Sequence, residues 1–99
     1  MSNLIELIRT GAIIEAIKDD LYDHWYDENY VNLVDKFGYT ALMYACVNGY
    51  TEIAKWLLEV GANVNIVDKY GNTALKIAEQ YGYIDIIELL NNFKEIRND

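Results

Sequence analysis

The chain has 99 residues, of which 53% are apolar, and a formal net charge of −8, so it is long enough for one domain with its own core. The charge argues against nucleic acid and anionic membranes as direct partners, because both are negative and are bound through basic patches. No stretch approaches the roughly 18 apolar residues of a membrane span. We therefore expect an acidic, monomeric protein.

Two further observations concern the cellular compartment. Glu6 and Arg9 interrupt the apolar stretch that could imitate a signal peptide. Cys46 is the only cysteine, so it cannot form an internal disulfide, which agrees with a reducing compartment. Both observations favour a cytoplasmic location.

The first predicted helices lie within residues 1–34. The segment NLIELIRTG predicts a short helix that ends at Gly11, and AIIEAI begins a second helix. Asp19 and Asp20 leave open a break followed by a loop, whereas the apolar residues after them favour one long helix. The residues that recur at helical steps are Ile14, Ile17, Leu21 and Trp25.

The next unit contains turn residues and helix-capping residues at regular positions. Asp35 and Gly38 predict a tight turn, because aspartate bonds the backbone ahead of it and glycine adopts conformations that are costly for other residues. Thr40 is placed to cap a helix with its hydroxyl. Gly49 and Gly61 each stand where a helix would end. The unit therefore reads as turn, helix, turn, helix, loop.

The same pattern returns further along the chain, where DKYGNTAL at Asp68 repeats DKFGYTAL at Asp35 with an offset of 68 − 35 = 33. When residues 35–58 are aligned with residues 68–91, eleven of 24 pairs are identical. A fixed period of this length predicts stacked supersecondary units. The polar tail after Leu90 suits a terminal unit, whose outer face meets water.

Residues 1–34 are a degenerate copy of the unit. VNLV at 31–34 precedes VNIV at 64–67 by the same offset. The separation between Gly11 and Val31 is 31 − 11 = 20, whereas the separation between Gly49 and Val64 is 64 − 49 = 15. The first unit therefore carries extra residues in its second half, and their number is 20 − 15 = 5.

These motifs resemble the ankyrin repeat family, whose 33-residue unit contains a T-P-L-H-x-A phrase. The phrase stands here as TALMYA at 40–45 and TALKIA at 73–78. VGANVN at 60–65 is similar to the loop between repeats, and GYTEIAKWLL at 49–58 to the start of the second helix. Alanine replaces the family's proline in both copies, and Met43 and Lys76 replace its histidine.

The resemblance implies an all-α ankyrin repeat solenoid of three helix-turn-helix units joined by β-turn or hairpin loops. We expect a single domain, with an N-terminal capping repeat at 1–34, a full repeat at 35–67 and a C-terminal capping repeat at 68–99. It should contain six helices in three antiparallel pairs and no regular sheet beyond short turn pairings. Eight residues are expected to be buried: Leu42, Ala45, Ile53, Leu57, Leu75, Ala78, Ile86 and Leu90.

The sequence contains no residue pattern that is typical of a catalytic or metal-binding site. His24 is the only histidine, and we interpret it as a surface residue of an acidic segment. We interpret Cys46 as a small packing residue, because nothing near it in sequence would lower the pKa of its thiol. No phosphate loop, CxxC pair or catalytic triad is present. We therefore expect a protein without enzymatic activity, metal or cofactor.

The resemblance also places a partner-binding surface on the turns and on the ends of the first helices. It implies ten residues, called the binding stripe below: Lys36, Phe37, Tyr39, Val47, Asn48, Lys69, Tyr70, Asn72, Gln80 and Tyr81. Exposed rings on such turns suit recognition, because they offer a large area at little entropic cost. The alternative is that the rings lie flat against the neighbouring turn.

Three functional hypotheses follow. The first is a binding module that docks another protein on its turn tips and concave helix face. The second is a small acidic inhibitor that mimics nucleic acid in a basic site of another protein. The third is a fragment or designed variant of a longer repeat array. The acids within 15–28 are explained by a solvated face, or by a patch for a basic partner.

Overall fold

The computed structural model of the protein describes residues 4–9, 11 and 29–97. Within them the chain forms five α-helices and one 3-10 helix, and no strand, so the predicted all-α fold class is confirmed. The predicted second helix of the first unit and His24 lie outside the described residues. The helices are α1 (Leu4–Arg9), the 3-10 helix (Tyr30–Asn32), α2 (Ala41–Asn48), α3 (Thr51–Glu59), α4 (Ala74–Tyr81) and α5 (Ile84–Arg97).

Helices α2 and α4 begin and end by the same local chemistry. Thr40 and Thr73 each accept a hydrogen bond from the backbone N–H three residues ahead, at 3.2 Å. Both helices end at a glycine in the left-handed conformation, with φ of 73° at Gly49 and 72° at Gly82. The predicted caps are confirmed, and alanine at the first helical position is compatible with them.

The helices stack in two layers. Helices α1, α2 and α4 pack in that order in one layer, and α3 packs on α5 in the other. Within a unit, α2 contacts α3 and α4 contacts α5. Two residues join each of these pairs, so the paired helices run antiparallel. The core lies between the two layers and is continuous from one unit to the next.

Seven of the eight residues expected in the core are buried, and Leu75 is the exception. Leu75 is half-buried, whereas Leu42, one repeat earlier, is 1% exposed. The expectation for Leu75 was wrong, because it treated the two repeats as equivalent. The middle unit has a neighbour on each side, whereas among the described residues no unit follows the last one.

The outer face of the last unit is polar where the middle unit is apolar. Three side chains of the middle unit are at most 2% exposed, and their counterparts one repeat later are exposed polar residues. This exchange gives the last unit the water-facing surface that a terminal repeat requires. The pairs are Met43 and Lys76, Cys46 and Glu79, and Leu58 and Asn91.

The side chain of Asn32 joins the first unit to the loop of the second. Its Nδ2 donates to the Gly61 carbonyl at 3.2 Å, and its Oδ1 accepts from the Asn63 N–H at 2.7 Å. Asn65 stands one repeat later and is exposed. The last unit has no loop at the positions that Asn65 could bond, because α5 continues to Arg97, whereas α3 ends after nine residues.

Candidate functional site

The turn that begins at Asp35 is held by the side chain of that residue. Asp35 Oδ1 accepts from the N–H groups of Phe37 (2.9 Å) and Tyr39 (3.0 Å), and the Tyr44 hydroxyl donates to Asp35 Oδ2. Burial raises the pKa of Asp35, but the hydrogen bonds from Tyr44, Tyr39 and Phe37 together lower it by more, so the net shift is downward. The ionised carboxylate therefore fixes the backbone that carries two residues of the binding stripe.

The turn that begins at Asp68 uses a different third donor. Asp68 Oδ1 accepts from the N–H groups of Tyr70 (2.8 Å) and Asn72 (2.9 Å). Ile77 stands where the earlier unit has Tyr44, and the side-chain amide of Asn72 instead donates to Asp68 Oδ2 at 3.3 Å. Burial raises the pKa of Asp68, whereas the bonds from Asn72 and Tyr70 lower it below its ordinary value.

The two turns are also bonded to each other. The Lys69 N–H donates to the Phe37 carbonyl at 3.1 Å. A Cβ atom added to Gly38 would lie 3.0 Å from Asp68 Cα and 3.1 Å from Lys69 N. The same atom on Gly71 would meet no described atom within 4 Å. Gly38 thus provides both a left-handed turn and a close approach between turns, whereas Gly71 provides the turn alone.

Comparing Gly38→Ala with Gly71→Ala should isolate the contact between the turns. Both glycines have nearly the same φ, 80° and 81°, so the backbone strain of about 1–2 kcal/mol is common to both variants. We expect Gly38→Ala to lower the free energy of unfolding by about 1–2 kcal/mol more than Gly71→Ala does, because its methyl group pushes against backbone atoms of the next turn. Urea unfolding of both variants gives the difference. Equal losses would show that the contact contributes nothing to stability.

The members of the binding stripe differ in exposure. Phe37, Tyr70 and Tyr81 are exposed by 48%, 80% and 54%. The predicted alternative, rings lying flat on the neighbouring turn, therefore does not describe Tyr70. Lys36, Asn48, Lys69 and Gln80 are also exposed, and Tyr39, Val47 and Asn72 are half-buried.

Tyr39 lies where the two repeats meet. Its ring packs on that of Tyr44, with centroids 5.1 Å apart. Burial raises the pKa of the Tyr39 phenol, and negative charge at Asp68 and Tyr81 raises it further. The hydrogen bond from the Lys69 N–H to the Phe37 carbonyl shows that the fold brings stripe residues of both repeats together.

Two contacts of the stripe were missed by the sequence analysis. The Lys36 ammonium lies 5.2 Å from the centroid of the Phe37 ring, within cation–π range. The Tyr81 ring stacks on Tyr83, with centroids 6.0 Å apart and planes 13° apart. Tyr83 itself lies against Gly49 of the preceding repeat, where an added Cβ would be 3.0 Å from the ring. The repetition of Gly-Tyr at 49–50 and 82–83 was the available signal.

Three further features of the described residues concern the Cys46 thiol, potential metal ligands and helix hydrophobicity. Burial raises the pKa of the Cys46 thiol to about 12, and the side chain is fully buried, so it packs in the core as predicted. Residues 4–9, 11 and 29–97 contain no group of three or more potential metal ligands. No helix in this part of the chain is long and apolar enough to cross a membrane.

Comparison with known proteins agrees with this architecture. A sequence profile described as ankyrin repeats (3 copies) matches residues 6–98. A Dictyostelium discoideum protein, an acyl-CoA-binding domain-containing protein 6 homolog, is 49% identical over 51 residues, which are 52% of this chain and 17% of that protein. This chain therefore spans a small part of that relative.

Two solved structures are similar in fold. EF0377, an ankyrin repeat protein, superposes with a TM-score of 0.79 at 36% identity, over 89% of this chain and 45% of its own. A chain of the complex between the Bdellovibrio bacteriovorus predatory endopeptidase Bd0816 and the immunity protein Bd3460 gives 0.75 at 20% identity. That match covers 90% of this chain and 44% of the other. The profile match and the shared architecture show that the chain belongs to the ankyrin repeat family.

Proposed function

We propose that this protein binds another protein through the binding stripe. Ankyrin repeats generally mediate protein–protein interactions. The observation that carries the proposal is the exposure of three large rings of the stripe, Phe37, Tyr70 and Tyr81. Aromatic side chains of this kind are enriched among the residues that dominate binding energies.

The rigidity of the turns supports the same proposal. Asp35 and Asp68 each accept three hydrogen bonds from their own unit, so the backbone beneath Phe37 and Tyr70 is fixed before a partner arrives. A preorganised loop loses little conformational entropy on binding. The energy of burying the rings then contributes to affinity.

The proposed activity is occupancy without a catalytic cycle: the protein blocks, recruits or scaffolds its partner and needs no cofactor. We place it in the cytoplasm as a monomer, in agreement with its unpaired thiol at Cys46. The three units would be the capping repeat 1–34, the full repeat 35–67 and the capping repeat 68–99.

The charged members of the stripe, Lys36 and Lys69, are both basic. The side chains described in α3 and in residues 84–93 include four exposed acids and one base, Lys55. The acidic segment 15–28 lies outside the described residues. We propose that the rings supply affinity while the acids steer a basic partner and raise its association rate. The four acids are Glu52, Glu59, Asp85 and Glu88.

The ring prediction can be tested once a partner has been captured with the intact chain and identified by mass spectrometry. We expect Phe37→Ala or Tyr70→Ala to weaken binding by roughly 1–3 kcal/mol, the scale of an aromatic hot spot, as measured by isothermal titration calorimetry. Val60→Ala is the matched control, because Val60 is exposed by 43% outside the stripe. It should bind like the unchanged protein.

The acids are tested separately. Neutralising Asp19, Asp20 and Asp23 should slow association and flatten its salt dependence, while leaving dissociation unchanged. The nucleic-acid mimic predicts the opposite pattern, in which binding collapses with modest salt and survives loss of Phe37 and Tyr39. If the ring variants bind normally and the acid variants fail, the stripe is structural and the acidic surface is the site.

A further inference from the structure

A shallow groove in the last unit is lined by five residues that come from the loop before the unit, from the start of α4 and from α5. Its volume is about 40 Å³, the space of a few water molecules, which suits a small side chain. Each lining residue has the same type as the residue one repeat earlier. The pairs are Val31 and Val64, Asn32 and Asn65, Thr40 and Thr73, Leu42 and Leu75, and Leu57 and Leu90.

In the middle unit the earlier set of residues holds residues 61–63, called the glycine loop below. The Asn32 side chain bonds the Gly61 carbonyl and the Asn63 N–H. Ala62 between them is 2% exposed, and its N–H donates to the Leu57 carbonyl at 2.9 Å. The loop depends on Gly61, whose φ of 107° is costly for other residues. What the set holds is therefore a carbonyl, a small apolar side chain and an N–H in succession.

The last unit has no glycine loop of its own. Residues 94–96 stand one repeat later, and they continue α5 as helix. The sequence there has Lys94 and Glu95 in place of glycine and alanine. A lysine is strained at a positive φ, and a glutamate buried without a partner costs several kcal/mol. These two residues do not suit the groove.

The groove consequently exposes groups that the middle unit covers. Asn65 uses its backbone N–H in a bond to Asn63 Oδ1 at 2.9 Å, and no described residue bonds its side-chain carboxamide. That carboxamide offers an acceptor and two N–H donors. Three other lining residues are half-buried, whereas their counterparts are at most 5% exposed. The three are Val64, Thr73 and Leu75, and the counterparts are Val31, Thr40 and Leu42.

We propose that this groove binds a glycine loop of a partner protein, in which a glycine is followed by a small apolar residue. The Asn65 carboxamide bonds the carbonyl and the N–H that flank the small residue, as Asn32 does within the chain. The small side chain lies among Val64, Leu75 and Leu90. Directed polar groups beside a small apolar space give such a site its selectivity. None of the lining residues belongs to the binding stripe, so this is a second site.

The probe is an end-blocked peptide that copies residues 59–65, EVGANVN, because it contains the loop that the middle unit already holds. Titrated to millimolar concentration into the isotope-labelled full chain, it should shift the side-chain amide NMR signals of Asn65 and the methyl signals of Leu75. The corresponding signals of Asn32 and Leu42 should not move, since Asn32 is already bonded and Leu42 is buried. No shift, or shifts confined to stripe residues such as Tyr70, would overturn the proposal.

Two altered peptides test the occupant. Methylation of the backbone nitrogen of the asparagine after alanine removes the donor to Asn65 Oδ1. This peptide should bind about fivefold more weakly, which corresponds to one net hydrogen bond of about 1 kcal/mol. A peptide with leucine in place of alanine should produce no shift, because its side chain is too large for the groove. If either peptide binds as well as the unaltered one, the occupant is not a glycine loop.

Two protein variants test the groove itself. Asn65→Ala removes both bonds and should weaken the unaltered peptide about 25-fold, a factor of about five for each bond. Its melting temperature should not change, because the carboxamide has no described partner. Asn91→Ala is the matched control, since Asn91 is exposed and does not line the groove; it should bind like the unchanged protein.

Two results would refute the proposal and leave the stripe unaffected. The first is equal affinity of the peptide for Asn65→Ala and the unchanged protein. The second is a shift of the Asn65 side-chain signals with rising protein concentration and no peptide, which would make a second copy of the chain the occupant.

Discussion

Truncating the chain after Gly61 is expected to abolish cooperative unfolding. The truncation removes α4 and α5, the partners of α2 and α3 in the two layers. Each repeat of a solenoid contacts its neighbours alone, so the middle unit would lose one of its two interfaces. Side chains that are now at most 2% exposed, such as Cys46 and Leu58, would then face water. Each Å² of apolar surface exposed in this way lowers the stability by roughly 25 cal/mol.

The measurement is thermal unfolding followed by far-ultraviolet circular dichroism. The matched control ends at Phe93, because this chain keeps α4 and the buried residues Ile86 and Leu90 of α5. The control should unfold in one sharp transition, whereas the shorter chain should show a shallow slope. A sharp transition after truncation at Gly61 would show that the first units fold independently, and that the stack is not needed for stability.

Leu42→Ala is expected to destabilise the protein by about 2–5 kcal/mol, the range for a leucine truncated in a packed core. Leu75→Ala should lower the free energy of unfolding by about 1–2 kcal/mol. The loss is smaller because the Leu75 side chain is half-buried, so the substitution removes less buried apolar surface. Both leucines occupy the second position of their helix within the same Thr-Ala-Leu sequence, so changes in helix propensity cancel in the comparison.

Urea unfolding at neutral pH measures both losses from the midpoint and slope of the transition. The difference between the two variants reports what the following repeat adds to the burial of Leu42. Losses of the same size would mean that the outer face of the last unit is as well packed as the inner one, contrary to the exposure of Leu75.

Features set by contacts within a few residues could be predicted from the sequence. Thr40 and Thr73 bond N–H groups three residues ahead, and Asp35 and Asp68 bond N–H groups two and four residues ahead. Such contacts depend on a short piece of chain, so residue type and spacing are enough to predict them. The repeat period extended the prediction to stacked units.

The candidate site was predictable as a set of positions but not as a surface. The exposure of Tyr70 and the partial burial of Tyr39 depend on which neighbouring turn covers each ring. Tyr83 was missed, because its contact with Gly49 lies between repeats. The role of Asn32 was missed for the same reason, since its partners Gly61 and Asn63 lie about one repeat away.

The sequence by itself determined the repeat, its caps and its turns, and through them the family. It could not determine how the packing around equivalent residues of the two repeats differs, and Gly38 and Gly71 are the clearest case. Both stand in an Asp-Lys-aromatic-Gly turn with nearly the same φ, yet one is pressed against the next turn and the other is open. Local chemistry is the same at both positions. Whether another unit stacks on the turn is decided by the tertiary structure, because close packing between repeats joins atoms that lie a whole repeat apart in the chain.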